Sequence, residues 1–97
     1  MVKHIILWKL KEEYNNKEVK IAIKQNLEGL IDKIPGLIEI SVQIDSLASS
    51  NADVMLYSVF DDEKSLKGYA VHPEHVCVAD NFVRPFTETR LCLDFDA

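Results

Sequence analysis

Three histidines and a tyrosine are the side chains in this 97-residue sequence best suited to moving protons near neutral pH. Two of the histidines fall in the segment Tyr69-Ala70-Val71-His72-Pro73-Glu74-His75. Pro73 suits the first position of a helix, where its missing N–H would have had no partner anyway. On a helix that begins there, His75 shares an arc with Ala79, Phe82 and Phe86 and therefore points at an apolar interior. A buried imidazole needs a hydrogen-bond partner and tends toward a lowered pKa. His4 lies in an apolar segment at the chain start and meets His75 if the even-numbered side chains of that segment face the helices. Tyr69, on a short preceding helix, reaches the same place across the His72-Pro73 bend. His4, Tyr69 and His75 would then supply a base, a phenolic donor and a second imidazole around one pocket, a set able to do general acid–base chemistry. The bland alternative is that His75 is a satisfied core histidine. His72, directly before Pro73, also suits a helix cap.

Other chemistries are poorly represented. Cys77 and Cys92 stand far apart with no CxxC spacing, which excludes common zinc frameworks and thioredoxin-like motifs and fits two reduced thiols in a cytoplasm. Neither has an obvious basic neighbour to activate it. Asp61, Asp62, Glu74 and Asp80 sit at helix starts, where carboxylates are routine dipole partners, so no metal set is expected. There is no GxSxG, phosphate loop or GxGxxG, and no cofactor is expected. Eleven basic residues against 16 acidic ones give a net charge of −5, a sign that repels phosphate backbones, so nucleic acid is not an expected partner. Hydrophobic residues at 47% and charged residues at 28% describe an ordinary globular domain, one unit over 1–97. The longest apolar run, Ile5 to Trp8, cannot span a bilayer, and no signal-peptide pattern follows it, so neither a membrane segment nor secretion is expected.

The elements that must hold the candidate site follow from periodicity. Val2 to Leu10 is apolar on both faces and reads as a strand covered on both sides. Asn15-Asn16 offers a helix cap. Val19, Ile23, Leu27, Leu30, Ile31 and Ile34 form one helical stripe, stopped by Pro35-Gly36. Ile38, Ile40, Val42 and Ile44 alternate with polar residues as a one-sided strand. Val54 to Phe60 is again apolar on both faces. Asp61-Asp62 caps a short helix, Pro73 opens another whose last turn is bent by Pro85, and Leu91, Leu93 and Phe95 alternate in a last strand.

This order is an α+β, ferredoxin-like βαββαβ pattern with a broken second helix. In that topology the first and third strands are central, and these are the two that are apolar on both faces. Helices cover only one face of the sheet. The other face carries either Ile5 and Leu7 or Ile6 and Trp8, together with side chains of the third strand. About five or six large side chains would stay wet, at about 1.5–3 kcal/mol each. An apolar patch of this kind marks an interface, and the sequence offers no spare segment to cover it, so a homodimer packed sheet against sheet is expected.

Val2-Lys3-His4-Ile5, Gly68-Tyr69-Ala70-Val71-His72-Pro73-Glu74-His75-Val76 and Arg84-Pro85 through Arg90-Leu91-Cys92-Leu93-Asp94-Phe95 resemble the stress-responsive A/B barrel (Dabb) family over the whole chain. The resemblance implies a dimeric α/β barrel formed by two ferredoxin-like sheets. One plant member, olivetolic acid cyclase, closes a polyketide by an aldol-type condensation without a cofactor. Its base, its substrate-positioning tyrosine and its N-terminal active-site histidine match His75, Tyr69 and His4. Three expectations follow. The first is a small dimeric protein that binds an apolar ligand between helices and sheet, against Ile6, Trp8, His72, Ala79 and Phe82. The second is a cofactor-free cyclase- or monooxygenase-type enzyme using Tyr69 and His75 on a carbonyl compound. The third is a structural oligomer in which the histidines only pack. An empty pocket beside His75 separates the first two from the third, and a Tyr69–His75 hydrogen bond would favour the second.

Overall fold

A computed structural model describes all residues 1–97. Four antiparallel strands, β1 (Val2–Leu10), β2 (Leu37–Gln43), β3 (Val54–Phe60) and β4 (Thr87–Asp96), form one sheet in the order β2-β3-β1-β4. Helix α1 (Lys17–Glu28) joins β1 to β2, and α2 (Glu63–Val71) and α3 (Pro73–Val78) follow β3. A wide π turn (Ala79–Val83) and a 3-10 turn (Arg84–Phe86) lead into β4. The ferredoxin-like βαββαβ expectation holds, with the second helix broken. The two strands that are apolar on both faces are the central pair.

Local signals set the helix starts. The side chain of Asn16 accepts a hydrogen bond from Val19 N at 2.9 Å, and that of Asp62 accepts one from Ser65 N at 2.8 Å. Each satisfies an otherwise orphaned helical donor, typically about 1 kcal/mol of stability. His72 Nδ1 accepts from Glu74 N at 3.1 Å, so His72 is the cap of α3.

Two boundaries differ from the periodic reading. α1 ends at Glu28, six residues before Ile34. Beyond Gly29 the chain tightens into i→i+3 bonds, Leu30 N to Leu27 O and Ile31 N to Glu28 O. This keeps Leu30 and Ile34 buried but turns Ile31 outward. Glycine's poor helix propensity favours the change at that point. In β2 an irregularity between Leu37 and Glu39 buries Leu37 and leaves Ile38 exposed. Gly36 precedes it with φ +82°, where any side chain would be strained and would collide with the Ser65 side chain.

The register decides which face of β1 looks inward. Val2, His4, Ile6, Trp8 and Leu10 are buried against the helices, joined by Ile23, Leu27, Val42, Val54, Leu56, Phe60 and Tyr69. Ile5 and Leu7 therefore lie on the bare face. There Ile5 pairs with Tyr57 and Leu93, and Leu7 pairs with Met55 and Leu91. Leu91 and Leu93 are 64% and 62% exposed, and Leu7 and Phe95 each 39%. No helix covers this side.

The two sheet edges differ. On β2, Glu28 Oε2 accepts from Val42 N at 2.9 Å, while Val42 O accepts from Lys24 Nζ at 2.7 Å. Side chains of α1 thus occupy backbone groups that would otherwise offer a pairing template. Burial pushes the Glu28 carboxyl pKa up, but the hydrogen bonds from Lys24 and Val42 outweigh it and the net shift is downward. The other edge, β4, is exposed along most of its length.

Candidate functional site

The helices pack over β1, β2 and β3 and leave the inner side of β4 open. A cavity of about 940 Å³ lies in the gap, walled by α2, α3, β1 and β4. That is near the upper end of the range of small-molecule sites. A filled core at this position, as the packing-only alternative requires, is not what the fold has.

His4, Tyr69 and His75 all line this cavity, as do Ile6, Trp8 and Ala79. His72 and Phe82 do not: His72 is spent on the α3 cap, and Phe82 is half-buried in the π turn away from the wall. An arc drawn for a regular helix misjudges Phe82 because the winding widens from Ala79 onward.

The rings of Tyr69 and His75 pack closely in a tilted arrangement, with centroids 4.0 Å apart and planes inclined by 32°. His4 meets Tyr69 edge-on at 6.0 Å. The hydrogen bond between Tyr69 and His75 that would have favoured the enzymatic reading is not formed. Instead Tyr69 Oη and His75 Nδ1 are both buried without a protein partner in good hydrogen-bond geometry, although the backbone carbonyls of Ala70 and Tyr69 lie close to the His75 ring. Leaving such atoms unpaired costs about 1–3 kcal/mol each. Burial raises the Tyr69 phenol pKa well above its ordinary value, with Arg90 only partly opposing it, so the group stays a donor. Burial lowers the His75 pKa. Backbone carbonyls of Ala70 and Tyr69 oppose that shift, while Arg84 and His4 reinforce it. His75 is therefore neutral at neutral pH, with one nitrogen able to accept a proton.

The partner of His4 is not evident in the sequence. Its Nδ1 pairs closely with Asp94 Oδ1, from the neighbouring strand. A carboxylate at one ring nitrogen fixes the orientation and tautomer of an imidazole and leaves the other nitrogen available. Cys92 Sγ lies 3.7 Å from the same Nδ1 and 3.5 Å from Asp94 Oδ1. The alternation Cys92-Leu93-Asp94 is legible in the sequence as two side chains on one face, but which residue of β1 they confront depends on register.

Tyr69→Phe is expected to stabilise the ligand-free protein by about 1 kcal/mol, because it removes an unpaired buried hydroxyl and keeps the ring. Chemical denaturation checks this. A loss of stability would show that the hydroxyl is satisfied in solution.

A ferredoxin-like α+β protein with a half-apolar cavity under its open edge strand is the class these features define. The chain belongs to the Dabb family: the Stress responsive A/B Barrel Domain matches residues 2–97. It is 27% identical over 99 residues to a stress-response A/B barrel domain-containing protein of Arabidopsis thaliana, covering 100% of this chain and 37% of that protein. The chain thus spans little more than a third of that curated relative. Among solved structures, a dimeric ferredoxin-like protein of unknown function from Bacteroides fragilis NCTC 9343 is 33% identical, with a TM-score of 0.89 over 99% of this chain and 95% of that one. A hydroxynitrile lyase from Passiflora edulis shares the fold at 17% identity, with a TM-score of 0.81 over 97% of this chain and 90% of that one. No helix of the chain is long and apolar enough to cross a membrane.

Proposed function

We propose that the protein is a homodimer, closed through its bare sheet faces, and that each subunit binds a small, mostly apolar molecule bearing a carbonyl or enol oxygen. One observation carries the ligand reading: two buried polar atoms, Tyr69 Oη and His75 Nδ1, have no partner beside a cavity of about 940 Å³. A hydrocarbon would leave both unsatisfied. An enol can accept from the phenol and donate to the imidazole once a small shift of the two rings turns these atoms to the cavity, while Ile6, Trp8 and Ala79 contact its apolar part. The dimer reading is supported by the exposed Leu7, Leu91, Leu93 and Phe95 and by the dimeric Bacteroides fragilis relative. The free thiols Cys77 and Cys92 suit a cytoplasmic setting.

Trp8 is the sole tryptophan and lines the cavity, so its fluorescence reports occupancy. Titration with benzoylacetone, a small β-diketone, is expected to change that fluorescence saturably. Binding should be at least about tenfold tighter than that of butylbenzene, since each unsatisfied polar group represents about 1–3 kcal/mol. Tyr69→Phe should narrow the difference. Equal affinity for the two probes, or no saturable signal from either, would defeat the ligand reading.

A second reading adds chemistry at the same place. A neutral imidazole packed against a tyrosine that retains its proton is an acid–base pair able to enolise an activated carbonyl compound without a cofactor. The resemblance to the plant cyclase assigns the base to His75 and substrate positioning to Tyr69. The fold is also that of the Passiflora edulis hydroxynitrile lyase, which is compatible with an enzyme on this scaffold.

A further inference from the structure

We propose that His4, Cys92 and Asp94 form a binding site for a thiophilic divalent cation, zinc above all, on the wall of the cavity. The three side chains offer an imidazole nitrogen, a sulfur and a carboxylate oxygen, all within 4.8 Å of one another. A zinc ion holds sulfur at about 2.3 Å and nitrogen or oxygen at about 2.0–2.1 Å. Tetrahedral angles then put the sulfur about 3.5–3.6 Å from each of the other two ligand atoms. Cys92 Sγ already stands 3.7 Å from His4 Nδ1 and 3.5 Å from Asp94 Oδ1. Two edges of the coordination polyhedron are thus in place without the metal.

The third edge requires His4 and Asp94, now in hydrogen-bond contact, to part to about 3.3 Å. His4 cannot move far, because β1 is held between β3 and β4 and the ring is buried. Asp94 can: its side chain is 43% exposed on the edge strand, and rotation of the carboxylate opens the gap. The donor set also selects the ion. Oxygen-only sites suit magnesium or calcium, whereas mixed sulfur, nitrogen and oxygen ligands suit zinc and its neighbours. Three protein ligands beside a cavity leave a fourth position for water or a bound molecule, which is the pattern of an open rather than a purely structural zinc site. The site leaves His75 and Tyr69 untouched and does not rest on the acid–base reading.

The test uses the whole chain, reduced and freed of metal with a chelator, and cobalt(II) chloride as the probe. One cobalt per chain is expected to bind, giving a thiolate-to-cobalt charge-transfer band and the intense visible bands of tetrahedral coordination, and zinc chloride should displace it. Cys92→Ser should abolish the charge-transfer band. Asp94→Asn should weaken affinity at least tenfold. Cys77→Ser should leave both unchanged. Cys92 and Asp94 are on the exposed edge strand, so both variants should fold, as circular dichroism will check. No charge-transfer band at saturating cobalt, a band that survives Cys92→Ser or disappears in Cys77→Ser, or an affinity unaltered by Asp94→Asn would each overturn the proposal. Fluorescence binding of benzoylacetone to the metal-free chain tests the ligand reading separately.

Discussion

Replacing Leu91 and Leu93 together by glutamate is expected to turn the proposed dimer into a folded monomer. Both side chains stand on the bare face of β4, opposite Leu7 and Ile5, and neither contributes to the core beneath the helices. The substitution therefore leaves the fold of the single subunit intact and acts on association. In a twofold-symmetric interface the pair occurs twice, giving four buried leucines. At about 1.5–3 kcal/mol for each apolar side chain, the lost burial is about 6–12 kcal/mol. Even the lower figure weakens a dimer by about 10⁴-fold. Four introduced carboxylates facing one another would add repulsion. Light scattering coupled to size-exclusion chromatography at micromolar concentration reads the result, with far-UV circular dichroism to confirm that the chain remains folded. A wild-type protein with the mass of one chain, or a variant that keeps the mass of two, would remove the sheet-to-sheet dimer.

Loss of the His75 imidazole should have the largest effect on chemistry. Deuterium uptake at the central methylene of benzoylacetone, followed by proton NMR in D₂O, is expected to be accelerated by the wild-type protein. In His75→Ala the acceleration should fall by about 10²–10⁴-fold, the usual contribution of a positioned general base. The pH profile has a defined sign. His75 must be unprotonated to act, and burial lowers its pKa. The rate should therefore rise with pH at the acid end and level off below the ordinary histidine value of about 6.5, rather than around it. Added imidazole should restore part of the activity of His75→Ala, since the variant leaves a hole of matching shape. Equal rates for the two proteins, or a profile still climbing through pH 7, would exclude His75 as the base.

The same environment accounts for both expectations about Tyr69. Its hydroxyl is kept protonated by burial and left unpaired, so it lowers stability without a ligand and strengthens binding with one. A tyrosine held in this arrangement only for packing would gain nothing from its oxygen. Its ring is another matter, since it packs against Phe60 at 5.0 Å as well as against both histidines.

Much of this architecture is legible in the sequence alone. Asn16, Asp62 and His72-Pro73 announce helix starts because capping is a contact between near neighbours in the chain. The two-sided apolar character of Val2–Leu10 and Val54–Phe60 identifies the central strands, since only a strand flanked by others and covered on both sides needs it. That Tyr69 and His75 meet on one surface follows from those same local periods, whereas His4 joins them only because the even-numbered side chains of β1 face the helices. What sequence could not supply is register and gap. Whether Ile5 and Leu7 or Ile6 and Trp8 face the helices, that Asp94 lies opposite His4, and that the inner side of β4 stays uncovered are decided by how strands distant in the chain align. A shift of one position would exchange every inward side chain for its outward neighbour. The energy that fixes the alignment comes from the whole core at once, and no single segment contains it.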